Sequence, residues 1–522
     1  MNKEIIKQYL PDNVDVNFFA NVAVFEIATA NIKEVVNFLR NDKNLSLKLV
    51  TATDERKDSH CFKIWYVFGL PKENIFIVPF IKLEDTLEFP SVALACQEAL
   101  NYERKIQTFF GLVPVGHTDP RSIILHENWP ANIFPLRKDF DWQSRPAVVE
   151  GTYQFNRVKG EGIYEIPVGP IHAGIIEPGH FRFSVAGETI VSLEPRLGFT
   201  HKGSEKLFEH FSLADSVRLA EKISGDSSLS HSLAFCQTIE SLADLKLPKR
   251  AAYLRVIFAE LERLANHFGD IGAIMLDTGF NFGGAQGSRL REMIMQINER
   301  LTGSRFLRSV NTIGGVQKDL TEAEISQLAK SLEIIAKDFS EVIEIAENSS
   351  SLVNRLQDTG KLTQAFAKSH GVVGVAARAT GIGCDTRADF PYAAYQELFL
   401  DRIETENTGD VCARFYVRIK EVRASIAIID GALKAIPKGL IKTSDTIVLK
   451  KNACAIALVE GWRGEILYFI TTDAQGQISR VVPRDPSFLN WNVLGKVGVN
   501  NIVPDFPLIN KSFNLSYTGN DL

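Results

Sequence analysis

The sequence has no paired cysteines, no long apolar run and no strong net charge, and each absence argues against a class of protein. Six cysteines are scattered over 522 residues, and the closest two, Cys384 and Cys412, stand 28 positions apart. That spacing predicts no zinc or iron–sulfur site, so we expect buried, reduced thiols. We find no stretch of the roughly 20 apolar residues that a membrane span needs, and no signal-peptide pattern. A net charge of −5 argues against nucleic acid as the main partner.

A glycine-rich loop after a strand, of the kind that holds a dinucleotide, is also missing. The residues therefore do not support direct binding of NAD. With 45% hydrophobic residues the chain can form sizeable cores, and its length predicts two to four domains.

Long amphipathic helices are the clearest structure that the sequence predicts. Pro248 opens an apolar stripe that continues to Leu276, and a second helix is expected from 290 to 301 before Gly303. A capping-box pattern at 321–324 precedes a third stripe. Residues 163–200, 446–458 and 465–472 alternate like strands. We predict an α+β fold in which a small α+β domain, residues 1–145, is fused to a larger domain, residues 150–522, with a long-helix bundle and peripheral antiparallel strands.

One polar segment stands immediately before an apolar helix pattern. It reads Lys222-Ile223-Ser224-Gly225-Asp226-Ser227-Ser228-Leu229-Ser230-His231. If the helix extends back through it, Ser224, Ser227 and His231 share one face and can point into a common pocket. A cluster of Ser, Asp and Gly at this place is also typical of an ordinary helix N-cap. Taken alone, the segment favours the cap.

Several motifs together resemble the large subunits of NiFe-hydrogenases and the related subunits of complex I. The segment 222–231 resembles the hydrogenase motif Arg-x-Cys-Gly-x-Cys-x-x-x-His, with serine at both cysteine positions. Gly116-His117-Thr118-Asp119-Pro120-Arg121 is similar to the complex I 30 kDa subunit, and 377–387 to the 49 kDa subunit. The union of both modules in one chain resembles the large subunits of membrane-bound complexes of the hydrogenase-4 and formate hydrogenlyase type.

The resemblance also shows which metal ligands the chain lacks. Aligned with the second hydrogenase motif, Asp-Pro-Cys-x-x-Cys, the C-terminal segment has Ser516 and Gly519 in place of the two cysteines. Ser224 and Ser227 replace the other pair. Nickel and low-spin iron need thiolates, whereas a serine hydroxyl stays protonated near neutral pH and binds soft metals poorly. We therefore expect no nickel and no other metal ligand set in this chain.

The resemblance implies roles for individual residues. His172 falls on the loop histidine that holds the quinone headgroup in complex I, while Gly225 stands where the partner tyrosine would be. Glu205 corresponds to the proton-relaying carboxylate of hydrogenases, and we expect burial to raise its pKa toward neutrality; a surface role beside a helix dipole is the alternative. Arg463 matches an arginine that lies over the hydrogenase site. The candidate catalytic residues are His172, Glu205, His231 and Asp385, and the candidate cofactor-binding residues are His172, Ser224, Ser227, Arg378, Arg463 and Ser516.

The function that the resemblance implies is that of an electron-transfer subunit in a membrane-associated, complex I-like oxidoreductase. Electrons would pass from an iron–sulfur cluster on a separate small subunit to quinone or a similar acceptor, coupled to ion translocation by antiporter-like membrane subunits. The chain would bind no covalent cofactor and would lie in the cytoplasm, on the inner face of the membrane. Two alternatives remain open: a working NiFe hydrogenase, and a non-catalytic scaffold of an ion-translocating complex.

Overall fold

The N-terminal part of the chain is built around one mixed five-stranded sheet. The computed structural model describes residues 3–11, 14–172, 176–398 and 403–522. The elements of this part are α1 (Lys3–Lys7), β1 (Val16–Phe19), β2 (Val22–Glu26), α2 (Ile32–Asn37), β3 (Ser46–Glu55), α3 (Arg56–Ser59), β4 (Cys61–Leu70), β5 (Ile75–Leu83), β6 (Glu88–Pro90), α4 (Leu100–Phe110) and β7 (Val113–Val115). The sheet has the order β1-β2-β5-β4-β3, with only β2 and β5 parallel. Nearly every residue of β4 is buried, as expected of a strand covered on both faces.

The second part opens with a three-stranded antiparallel sheet and continues into long helices. Its elements are β8 (Ile163–Val168), β9 (His180–Ala186), β10 (Thr189–Arg196), α5 (Ser204–Leu207), α6 (Leu213–Ala220), α7 (Ser228–Leu242), α8 (Lys249–Asp277), α9 (Asn281–Thr302), β11 (Asn311–Thr312), β12 (Gly315–Val316) and α10 (Glu322–Glu347). The helices predicted at 248–276 and 290–301 are confirmed, and the second begins nine residues earlier than its apolar stripe. The capping box is confirmed as well, because Thr321 and Glu324 exchange both bonds.

The last part adds one more long helix and a second antiparallel sheet. Its elements are α11 (Ser350–Leu356), α12 (Gln364–Ser369), α13 (Gly374–Arg378), α14 (Thr386–Asp389), α15 (Tyr395–Leu398), α16 (Val411–Ala435), β13 (Cys454–Gly461), β14 (Gly464–Thr472), β15 (Ile478–Arg484), α17 (Pro486–Gly498), α18 (Phe506–Phe513) and α19 (Tyr517–Asp521). The strand expected from residue 446 begins only at Cys454. Helices α8, α9, α10 and α16 share one apolar core, so the α+β class with a long-helix bundle is confirmed.

The sheet β13-β14-β15 holds the parts together because both of its faces are buried. One face, with Ile456 and Phe469, joins the core of the N-terminal sheet. The opposite face, with Val459 and Tyr468, packs on α7. Strand side chains alternate between faces, so an unbroken apolar run such as 466–470 supplies both cores. All six cysteines are free thiols, five of them buried and Cys384 half-buried, as expected. Over the described residues, no helix combines the length and apolar character needed to cross a membrane.

Candidate functional site

Helix α7 does not extend back through the serine segment, and its N-terminus is capped in an unexpected way. The helix begins at Ser228, and the side chain of Ser227, at the N-cap position, makes no capping bond. The carboxylate of Glu262 on α8 instead accepts from the backbone N–H groups of Leu229 (2.7 Å) and Ser230 (3.1 Å). The interpretation of the segment as an ordinary serine cap is therefore wrong. Because Glu262 satisfies the free N–H groups of the first turn, the serines before the helix are available for other contacts.

Two of the four positions that align with metal-ligand cysteines touch each other. The hydroxyl oxygens of Ser224 and Ser516 lie 2.9 Å apart, although 292 positions separate them in the sequence. Ser224 also lies 2.8 Å from a carboxylate oxygen of Asp226. Ser224 Oγ is the donor in both contacts, so its single proton is shared between the Asp226 carboxylate and Ser516 Oγ. The two serines and Asp226 therefore form one hydrogen-bonded cluster centred on Ser224.

Arg463, in the turn between β13 and β14, completes the group of side chains that we call the polar pocket. Its members are Ser224, Asp226, Arg463 and Ser516. The Arg463 guanidinium binds Asp226 with two parallel bonds, Nη1 to Oδ1 (2.7 Å) and Nη2 to Oδ2 (2.6 Å), and Nη1 lies 3.4 Å from Ser224 Oγ. Burial disfavours the charged form of Asp226, but the charge and bonds of Arg463 outweigh burial and lower the pKa of that carboxyl. The site is therefore a paired charge lined by hydroxyl groups.

His231 of α7 and Gly519 of α19 meet at the carboxylate of Asp485. His231 Nε2 lies 3.0 Å from Asp485 Oδ2, and its Nδ1 lies 3.2 Å from the hydroxyl of Tyr468, all of them buried. Gly519 stands against the same carboxylate, and a Cβ atom there would lie only 2.6 Å from Asp485 Cγ. A side chain at position 519 would therefore displace the carboxylate that binds His231.

The loop that carries His172 reaches the same region through α19. His172 Nε2 lies 2.8 Å from the carbonyl oxygen of Gly179. Further along this loop, the carboxylate of Glu177 accepts from the backbone N–H groups of Tyr517 and Thr518, 3.2 Å from each. Burial raises the pKa of Glu177. The His172 loop thus lies beside the residues that follow Ser516, while a direct contact between His172 and Ser224 is not part of the geometry.

Glu205 is buried between two cations, so the expectation of a raised pKa is wrong. Its carboxylate lies 2.6 Å from Lys105 Nζ and 2.7 Å from Arg480 Nη2. Burial alone would raise the pKa of Glu205, but the two positive charges outweigh it and lower the pKa. The alternative of a surface residue is also wrong, since Glu205 is only 3% exposed. Because Lys105 belongs to α4, this cluster ties the N-terminal part to β15; the role of Glu205 as a proton carrier stays a prediction.

Arg378 and Asp385 lie in a separate buried network, as their Gly-rich loop predicts. Arg387 binds Asp385 (2.7 Å), and Arg378 binds both Glu421 (2.7 Å) and Glu460 (2.8 Å). The network joins the carboxylates of Glu260, Asp385, Glu421 and Glu460 with the guanidiniums of Arg263, Arg378 and Arg387. It approaches the pocket along the chain, because Glu460 stands three residues before Arg463, and through Trp462, whose indole donates to the carbonyl oxygen of Asp226 (3.2 Å). The cofactor role of Arg378 and the catalytic role of Asp385 stay predictions.

Four carboxylates of this region were missed from the sequence. Asp226 lies inside the polar segment, yet nothing local distinguishes it from the serines beside it. Asp485 precedes Pro486, an N-cap followed by proline that predicts a helix start but not a bond to His231. Glu262 lies on a helix that is buried on most sides, where an acid is unusual and could have been noticed. Glu177 lies in a turn and carries no such signal.

Removing the hydroxyl of Ser516 is expected to destabilise the fold by about 1–2 kcal/mol, because Ser516 caps α19 through Gly519 N–H and also bonds to Ser224. The Ser516→Ala variant should be compared by chemical unfolding with Thr363→Ala, which removes an exposed cap of α12 and, among the described residues, no second side-chain bond. Equal losses in the two variants would contradict a contribution from the Ser224–Ser516 contact.

Comparison with known proteins agrees with this architecture. Residues 25–146 match the family described as the 30 kDa subunit of respiratory-chain NADH dehydrogenase, and residues 277–455 match its 49 kDa subunit. Formate hydrogenlyase subunit 5 of Escherichia coli (strain K12) is 31% identical over 497 residues, which cover 94% of this chain and 87% of that protein. Hydrogenase-4 component G of the same strain is 32% identical over 496 residues, covering 94% and 86%.

A relative from an NADH-quinone oxidoreductase is similar over most of the chain as well. This protein, from Phocaeicola vulgatus, is 30% identical over 465 residues, which cover 84% of this chain and 88% of that protein. The resemblance found from the motifs is therefore confirmed. The chain belongs to the family of oxidoreductase subunits in which complex I 30 kDa and 49 kDa modules are joined in one polypeptide, the family that includes formate hydrogenlyase subunit 5 and hydrogenase-4 component G.

Proposed function

We propose that this chain is the electron-transfer subunit of a membrane-associated, complex I-like oxidoreductase and that its pocket receives a quinone or a similar carbonyl acceptor in place of a metal centre. One observation carries the proposal: two of the four positions that align with metal-ligand cysteines, Ser224 and Ser516, meet here as hydroxyl groups beside an Arg463–Asp226 pair. Such a site offers hydroxyl groups and a guanidinium, groups that can donate to a carbonyl oxygen that becomes negative on reduction.

The residues present do not fit the NiFe centre of a hydrogenase. Ser224 and Ser516 are hydrogen-bonded to each other at 2.9 Å and offer hydroxyl oxygens where the centre needs thiolates. Gly519 offers no donor atom, and the space for a side chain there is taken by Asp485. Hydroxyl groups are also poor ligands for nickel and low-spin iron. We infer that hydrogen chemistry at such a centre is not the activity of this chain.

The partners follow from the family. The names of the relatives describe parts of a hydrogenlyase, a hydrogenase and an NADH-quinone oxidoreductase. We propose that a small iron–sulfur subunit delivers electrons to the pocket, that antiporter-like membrane subunits link the reaction to ion transport, and that the chain lies on the cytoplasmic face of the membrane. We propose that His172, whose loop lies beside α19, also holds the acceptor.

The test is acceptor reduction by the purified complex with a short-chain quinone analogue. We expect Arg463→Lys to lower the rate about 10-fold or more, because a lysine cannot make the two parallel bonds that orient Asp226 and the hydroxyl groups. Arg56→Lys is the matched control: Arg56 also binds an aspartate, Asp54, through two bonds (2.9 and 2.7 Å), but in the N-terminal domain. Its rate should stay at the wild-type value.

Three results would contradict the proposal. A wild-type complex that reduces no quinone analogue excludes the acceptor role. Metal analysis that finds stoichiometric nickel favours the hydrogenase alternative. Wild-type ion transport in a His172→Ala, Arg463→Lys double variant indicates a scaffold that keeps the family fold without the chemistry.

A further inference from the structure

Glu262 is a buried carboxyl group that forms no salt bridge with the described residues. It is 5% exposed, and among the described residues no Lys, Arg or His nitrogen lies within salt-bridge distance of it. Its oxygens are held by the N–H groups of Leu229 and Ser230 and by the Ser230 hydroxyl. Glu205 and Asp385, in contrast, are each bound by two positive charges. Glu262 is therefore set apart from the other candidate proton carriers by its surroundings.

A small cavity borders both Glu262 and Asp226, a residue of the polar pocket. Its lining includes Asp226, Glu262, Asn266, Arg291 and Arg305. Asn266 links the first two residues, since its amide donates to the backbone carbonyl oxygens of Asp226 and Glu262, 2.9 Å from each. The space suffices for about one water molecule. Because Arg291 is exposed, the cavity leads from the buried carboxyl to solvent.

The charged groups around this cavity leave Glu262 able to take up and release a proton near neutral pH. Burial raises the pKa of Glu262 to about 7, and the Asp226 carboxylate adds to the rise. Asp226 itself is neutralised by Arg463, and Arg305 by Glu292 (2.5 Å). The start of α7 brings N–H groups but no charged side chain to the cavity. Arg291 lies at the outer end.

We propose that Glu262 is the group that exchanges protons between the polar pocket and solvent. The proposal rests on the proposed function for the identity of the acceptor. When the acceptor has taken two electrons from the iron–sulfur partner, its oxygen needs a proton. The O–H bond of Glu262 breaks, the proton passes through the cavity shared with Asp226 to that oxygen, and the carboxylate regains a proton from water. Asp226 is the residue common to both sites.

The test compares Glu262→Gln with Glu103→Gln in the purified complex. Glu103 is a close chemical match, because it is buried, bound by a serine hydroxyl and a backbone N–H, and raised in pKa to about 7, but it lies on α4 in the N-terminal domain. The wild-type rate of quinone-analogue reduction should fall as pH rises through about 7. Glu262→Gln should lower the rate about 100-fold at pH 6 and abolish this inflection. Glu103→Gln should keep the wild-type pH profile.

A second measurement does not depend on turnover. In the Glu103→Gln background, infrared spectroscopy should show a protonated carboxyl band that disappears near pH 7 and that is absent when Glu262 is also replaced by Gln. An active complex whose pH profile is unchanged in Glu262→Gln overturns the proposal, as does the absence of that titrating band. A wild-type complex without acceptor activity overturns the proposed function instead, and the band then decides whether Glu262 exchanges a proton.

Discussion

Replacing Arg378 by methionine is expected to destabilise the fold by about 3–5 kcal/mol, the range for breaking a buried ion pair by removing one partner. Its guanidinium binds Glu421 and Glu460 and also donates to the carbonyl oxygen of Cys384 (2.8 Å), and the side chain is 1% exposed. Methionine fills similar volume but leaves both carboxylates without this cation. The effect should appear in chemical unfolding of the purified chain.

The same variant decides between two roles for Arg378. The control is Arg289→Met, which breaks a half-exposed pair with Asp338 and is expected to change stability by less than about 1 kcal/mol. If Arg378 binds the acceptor, as its place in the family motif implies, its replacement should weaken acceptor binding and leave stability near the wild-type value. A loss no larger than that of the control would contradict the structural role.

The second large effect is expected from Gly374→Ala, at the contact that supports the Arg463 turn. Gly374 has φ of +69°, and a Cβ atom there would overlap the carbonyl oxygen of Arg463. The left-handed conformation costs about 1–2 kcal/mol for a residue with a Cβ, and the overlap adds about 1–3 kcal/mol because two backbones have to separate. We expect a total loss of about 2–5 kcal/mol by thermal or chemical unfolding, together with loss of acceptor reduction.

The Gly162→Ala variant separates the cost of the left-handed backbone conformation from the cost of steric overlap. Gly162 has φ of +73°, but no atom lies within 4 Å of the Cβ position. It should lose only the conformational part, about 1–2 kcal/mol, and keep full activity. Equal losses at positions 162 and 374 would mean that the Gly374–Arg463 contact contributes nothing.

Local pattern was a good guide where a single segment decides its own structure. The stripe after Pro248 and the exchange of bonds between Thr321 and Glu324 follow from side chains three or four positions apart, and both were predicted. The start of α7 was not, because a carboxylate from α8 caps it across 33 positions. The beginning of β13 at Cys454 was missed because alternating apolar residues before it find no partner strand.

Residue types at fixed local spacing were enough to predict the class of fold and the family, and they predict that Ser224, Ser227, Ser516 and Gly519 replace metal-ligand thiolates. The state of the ionisable groups, in contrast, depends on the folded arrangement. Glu205 and Glu262 are both buried glutamates, yet Lys105 and Arg480 outweigh burial and lower the pKa of the first, while burial raises that of the second, which has no salt-bridge partner among the described residues. A carboxyl group in a protein interior is controlled by the charges that distant segments bring within a few ångströms, and those distances are set by folding.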